Sequence, residues 1–209
     1  HPVHEVLNAE SEKQGWCGLE IHHFPDHTKS RGQYFPLLQL AVQEDLEDDR
    51  NAHYLAREYY FNNMYEEAKK EFIRHLSLPR AIWKPERSSS MRYLSKCDPD
   101  NRLYWLECSL KECPDRRESW AELAKYFYEK ESWKSSFDAA MKCLQIKDKP
   151  LEYICDPFAW GPAPHDYAAI AAYKLGFYHE AYFHGLNAVE ISKNDERLRK
   201  NLKFYLERI

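Results

Sequence analysis

No stretch of this sequence is apolar for long enough to span a bilayer, which takes about 20 residues. The basic-then-apolar opening of a secretory signal is also missing. Neither sign of charge prevails: 30 basic and 34 acidic side chains leave a net charge of −4. That balance argues against a nucleic-acid module, which presents a basic face. Paired cysteines are missing too. Cys17, Cys97, Cys108, Cys113, Cys143 and Cys155 contain no Cys-x-x-Cys. Their scatter reads neither as a disulfide framework nor as a zinc site. Cys108 and Cys143 fall on apolar helix faces, where a thiol acts as a small hydrophobe. A reducing, cytoplasmic setting is expected. The chain opens His-Pro-Val-His without an initiator Met, as a fragment or a processed product does.

What is present is a period. Leu55, Ala56 and Tyr59 recur 68 residues later as Leu123, Ala124 and Phe127. Tyr93 lies 34 residues from both Tyr59 and Phe127, and Phe72, Leu106 and Ala140 keep the same step. Large, small and aromatic residues at a 34-residue spacing mark a tetratricopeptide array of helical hairpins. The expected class is mainly α: about four hairpins and a capping helix over residues 48–209, behind a small β/α unit over 1–47.

The first repeat runs from Asn51 to about Leu78, with Asn62-Asn63 at its turn, since Asn tolerates left-handed geometry. The second, Glu86 to Cys113, is degenerate. It carries Ser89 and Arg102 where the first has Leu55 and Ala68, and Pro99 breaks it. The third is strong again, from Trp120 to Cys143. Leu55, Tyr59, Phe72, Trp120, Leu123 and Phe127 are expected to be buried. Gly176, Ala181 and Ala188 then fit a fourth repeat only if 11 residues are inserted within Ile146–His165. That stretch holds Pro150, Pro157, Pro162 and Pro164 with Phe158 and Trp160, so it is a loop by composition. It either carries function or folds back over the groove. Asn194-Asp195 opens a last helix whose Leu198, Leu202 and Leu206 recur at four. A polar-backed cap of this kind closes an array.

The opening 47 residues do not repeat. Pro2–Leu7 and Leu19–Phe24 read as strands, and 33–44 as a helix with Tyr34, Leu37, Leu38 and Ala41 on its apolar face. Two strands and a helix are too small to stand alone. The run His-Pro-Val-His-Glu-Val-Leu, then Ile-His-His-Phe-Pro-Asp-x-Thr-Lys-Ser, then a helix leading into 34-residue repeats, resembles the end of a family 2 glycosyltransferase with a C-terminal tetratricopeptide region. Arg74–Pro79 and Asp195–Tyr205 resemble that group as well.

The resemblance implies a GT-A fold upstream, a nucleotide-sugar donor, and Mg²⁺ or Mn²⁺ in the full-length enzyme. The family's Asp-x-Asp is missing from the opening segment, so this chain alone is expected to hold no cofactor and to be inactive. His4-Glu5 resembles the family's acceptor-side pair. Glu5 is then the candidate base and His4 its support, because a carboxylate there can take the acceptor's proton. His22 and His23 are candidates to meet metal or diphosphate. Strand alternation sends the members of each pair to opposite faces.

Two functions compete. One is the C-terminal segment of such a transferase, its array holding a peptide or protein acceptor or a second subunit. The other is a non-catalytic adaptor. Under both, binding is expected on the concave face, from Tyr54, Arg57, Glu58, Arg92, Lys96, Lys125 and Tyr126, with Trp160 in the inserted loop.

Overall fold

A computed structural model describes residues 34–209. The strands expected over Pro2–Leu7 and Leu19–Phe24, and with them His4, Glu5, His22 and His23, lie outside the described residues. Among the described residues all regular structure is helical. The chain divides into two compact units, one ending at Arg80 and one spanning Ala81–Ile209.

The first unit holds α1 (Tyr34–Glu44) and the hairpin of α2 (Asp49–Phe61) and α3 (Tyr65–Ser77). Asp48 caps α2 by accepting from the Asn51 amide at 2.8 Å. Leu38 and Val42 of α1 pack on Leu55 of α2, flanked by Phe35 and Tyr59. The last two rings meet edge to face at 5.2 Å. Arg74 closes the base of the hairpin by donating to the Leu46 carbonyl at 2.6 Å.

The second unit holds α4 (Lys84–Cys97) and α5 (Arg102–Glu112), α6 (Arg117–Glu129) and α7 (Trp133–Gln145), the short α8 (Pro157–Trp160), α9 (Ala163–Lys174) and α10 (Tyr178–Ile191), and α11 (Glu196–Leu206). Its neighbours in sequence are neighbours in space: α6 packs on α7, α7 on α9, α9 on α10 and α10 on α11.

The backbone repeats as the sequence does. Asn63, Glu131 and Gly176 have φ of 60°, 54° and 82°, and stand at the same repeat position once the insertion is counted. In each hairpin the next amide reaches back five residues: Met64 to Tyr59, Ser132 to Phe127 and Phe177 to Ala172, all at 2.9 Å. This is a left-handed helix stop followed at once by a new helix. Only glycine meets such a φ without strain. Glu131→Gly is therefore expected to stabilise the second unit by about 0.5–1 kcal/mol, because a left-handed non-glycine residue costs about 1–2 kcal/mol. A lowered urea midpoint in that variant would reject the turn geometry.

Small residues set the helix spacing. Ala56, Ala68, Ala124, Ser136, Ala169 and Ala181 are all fully buried, as are Phe72, Leu106 and Ala140. Leu55 and Leu123 are buried as expected, but Tyr59, Trp120 and Phe127 are only half-buried. Each still packs on the core of its unit as a partly buried ring. The degenerate repeat fills its seam with hydroxyls. Ser109 Oγ lies 2.8 Å from Ser88 Oγ and 2.6 Å from Ser119 Oγ, joining α4, α5 and α6 where a buried polar group must find a partner. Pro99 ends α4 through a single 3₁₀ turn.

Candidate partner-binding groove

The cap helix shapes the site. Asp195 accepts from the amides of Arg197 and Leu198 at 2.9 and 3.2 Å, which starts α11. Leu198 and Tyr205 then bury against α9 and α10, while Leu206 stays 57% exposed. The packed face is therefore not the Leu198–Leu202–Leu206 stripe expected from the sequence. A step of four advances about 40° round a helix of 3.6 residues per turn, so its third member has left the face and the residue at seven has not. Gly185 of α10 admits the Tyr205 ring: a Cβ there would lie 2.7 Å from a ring carbon.

This docking leaves a cavity of about 390 Å³ between α6, α9 and α11, walled by Tyr128, Ile170, Tyr173, Phe204 and Tyr205 with Arg197 and Asn201 at its edge. The aromatic wall continues outward. Tyr128 packs on Tyr167 at 5.2 Å and on Trp133 at 6.0 Å, and Tyr173 packs on Tyr205 at 5.5 Å. Below it, Asp166 receives two bonds from Arg197, at 3.2 and 2.8 Å. The Asp166 side chain is 10% exposed and the Arg197 side chain 57%. This pair ties α11 to α9 and holds the Arg197 pKa up. Burial and the Asp166 charge push the Tyr205 phenol up, so it stays neutral.

The inserted loop folds back along the first turns of α4 and α6. Trp160 Nε1 donates to the buried Glu118 carboxylate at 2.9 Å, and the Asp156 amide does so at 3.3 Å. Tyr153 bonds Glu86 and stacks on Trp83 at 5.7 Å. Arg116 pairs with Glu152, and Arg117 lies 4.2 Å over the Trp160 ring. A carboxylate in a first turn suits the helix dipole. Of the two readings open for this loop, folding back is what its bonds describe. The buried thiols are inert: burial pushes Cys143 up to about 12 and Cys113 up to about 11.

A histidine pair joins α9 to α10. His165 and His184 approach at 3.0 Å through their Nδ1 atoms. Burial, with help from His184, Arg117 and Lys147, pushes His165 down to about 4. Burial also lowers His184, against the pull of Glu180. Folded-state values below the unfolded one mean that stability is fully present above pH 6.5 and falls as pH drops towards 4, because the unfolded chain takes up protons that the folded one refuses. The loss between pH 7.5 and 5 is expected to be about 1 kcal/mol, below the full linkage value because His165 keeps contact with water. Urea melts of His165→Gln should show a flatter pH dependence. A slope identical to the parent would exclude this pair as its source.

The residues singled out in sequence do not share one place. In the first unit, Tyr54 packs on the α1–α2 core and Arg57 lies 5.9 Å over its ring and 5.8 Å over Phe61; Glu58 is half-buried beside them. In the second, Arg92 is 6% exposed. Lys96 pairs with Glu122 at 2.7 Å. Tyr126 packs into the α5–α7 core beneath Arg102, 5.4 Å away. Lys125 approaches Glu129 at 4.0 Å. Trp160 is held by Glu118 and Arg117. The cavity residues Tyr128, Ile170 and Phe204 follow none of the repeat's signature positions and were not singled out. The aromatic residues left on the first-helix faces after the core positions are removed were the available signal.

No family model and no curated protein matches the chain. Solved structures do. PilF of Pseudomonas aeruginosa is 14% identical over 83% of this chain and 72% of that one, with a TM-score of 0.62. A chain of the APC/C hetero-tetramer Cut9–Hcn1 is 12% identical over 84% of this chain and 33% of that one, with a TM-score of 0.64. The tetratricopeptide protein TTC0263 of Thermus thermophilus is 14% identical over 83% and 89%, with a TM-score of 0.52. These chains share the fold, a tetratricopeptide-like helical array. No helix among the described residues is long and apolar enough to cross a membrane.

Proposed function

We propose that this chain is an interaction scaffold that binds a partner protein on the side of the second unit formed by α6, α9 and α11. The observation that carries this reading is the aromatic cavity there. Tyr128, Tyr173 and Phe204 leave about 390 Å³ unfilled there, whereas the larger hollow of about 670 Å³ beside Asp115 and Glu152 is lined mainly by charged and polar side chains. Apolar clefts with a few polar groups at the edge are the usual form of a recognition site. A similar array occurs in the Cut9–Hcn1 hetero-tetramer, an assembly of unlike chains. Photo-cross-linking tests the reading. A cross-linker in place of Lys125 or Ile170 is expected to give a discrete protein adduct in the source cells. One in place of Phe183, on the outer face of α10, should give none. Adducts from Phe183 alone would sink the proposal.

The resemblance at residues 1–7, 21–30, 74–79 and 195–205 supports a finer reading: the scaffold belongs to a nucleotide-sugar-dependent transferase that uses Mg²⁺ or Mn²⁺ and presents the acceptor. In the full-length enzyme Glu5 serves as base beside His4, and His22 or His23 faces the donor. Glu5→Gln keeps the shape but cannot take a proton. It is expected to abolish turnover while nucleotide-sugar binding persists. Unchanged turnover would remove Glu5 from the chemistry.

A further inference from the structure

We infer that the cavity between α6, α9 and α11 receives a bulky apolar side chain from an acidic linear segment of the partner, an inference that rests on the scaffold reading above. The walls decide the anchor. Tyr128, Ile170, Tyr173 and Phe204 offer rings and an aliphatic surface, and a volume of about 390 Å³ takes one Phe- or Leu-sized side chain with part of its backbone.

The charges decide the rest of the segment. From Glu196 to Arg208 the cap helix carries five basic side chains against two acidic ones, in a chain whose net charge is −4. Three cations stand round the cavity. Arg197 lines it, with its fork bonded to Asp166 and its side chain 57% exposed. Lys174, exposed, lies 5.4 Å over Trp133, whose ring packs on Tyr128. Arg208 is exposed and lies within hydrogen-bonding reach of the Tyr173 hydroxyl. Of the acids nearby, Asp166 is buried with both oxygens bonded to Arg197, Glu129 pairs with Arg102, Asp195 accepts from the amides that open α11, and Glu207 next to Arg208 offsets part of its charge. A basic segment would gain from the tyrosine faces. It would meet full like charges at the rim, and those outweigh a ring quadrupole at the same distance. An acidic segment meets the positive charge of Lys174 and Arg208 on two sides, with Arg197 already paired to Asp166, and such complementarity sets partner choice and on-rate.

Fluorescence anisotropy with the whole chain tests this. The probes are labelled nonapeptides: Gly-Ser-Glu-Asp-Phe-Glu-Asp-Ser-Gly, the same with Ala for Phe, and the same with Lys for every acid. The first is expected to bind, and each change should weaken it by about tenfold or more. Phe204→Ala and the double variant Lys174→Glu/Arg208→Glu should each weaken it by about fivefold or more. All three positions are exposed, so the fold tolerates the changes. Raised salt should weaken the acidic peptide, since exposed charges are screened. Equal or tighter binding of the lysine peptide overturns the inference. So does indifference to Phe204→Ala, or no binding of the acidic peptide at concentrations on the order of a millimolar. If the cross-linker at Ile170 still captures a protein in those cases, the scaffold reading stands and only this partner chemistry falls.

Discussion

Phe72→Ala is expected to cost about 3–5 kcal/mol, the usual penalty for removing a buried ring. Phe72 is fully buried at the seam of α2 and α3, with the His53 ring 6.0 Å away. Ala56 and Ala68 beside it are too small to move into the void. Phe127→Ala, at a position of the same repeat pattern, should cost about 1–2 kcal/mol, because only the buried part of its ring area counts. Amide exchange of α2 and α3 reads the first change, and that of α6 and α7 the second. The two variants belong to different compact units, so each readout is local. Equal protection losses would contradict the difference in burial, and a loss below about 1 kcal/mol for Phe72, the size seen at exposed sites, would break the register of the first hairpin.

The array was legible in the sequence because its positions are fixed by size. Ala56, Ala124 and Ala169 recur where two helices approach, and nothing larger fits. The turn at Asn63 was readable from Asn, but the equivalent turn at Glu131 was not. Its left-handed backbone is enforced by the helices on either side against the residue's own preference. The burial of Tyr59, Trp120 and Phe127 was overstated because a ring can pack on the core and still stay half-buried. Ser89 and Arg102 made the second repeat look degenerate, whereas its seam is closed by Ser88, Ser109 and Ser119, whose hydroxyls bond one another across three helices. The candidate groove was hidden for a different reason. Tyr128 and Tyr173 hold the same repeat position once the insertion is counted, but Phe204 lies on the cap helix outside the period, and the groove exists only because α11 docks through Tyr205 rather than Leu206. Lys96 and Arg92, attractive as polar inner-helix residues, are drawn into an ion pair and into the interior. Sequence alone does not distinguish a cation offered to a partner from one already matched.

Gly185→Ala is the change expected to disable the groove without touching it. A methyl group at Gly185 would lie 2.7 and 2.9 Å from two ring carbons of Tyr205 and 3.3 Å from Leu202. The ring is 4% exposed and packs on Tyr173, and the space beside it is the groove it walls, so a swing of the ring would fill the site. Alanine is the better helix former by about 1 kcal/mol, but overpacking a core costs about 1–3 kcal/mol, and here the clash is with a ring edge rather than a flexible tip. The net result is a less stable cap: α11 shifts off α10, carrying Arg197, Phe204 and Tyr205 with it. A lowered urea midpoint, together with weaker binding of the acidic phenylalanine peptide, is the expected outcome. The double variant Gly185→Ala/Tyr205→Leu should recover part of the lost stability, since residues in contact couple by about 0.5–3 kcal/mol. If Gly185→Ala instead raises the midpoint, as helix propensity alone would have it, the packing of α11 on α10 is not the one described, and the groove that depends on it is lost as well.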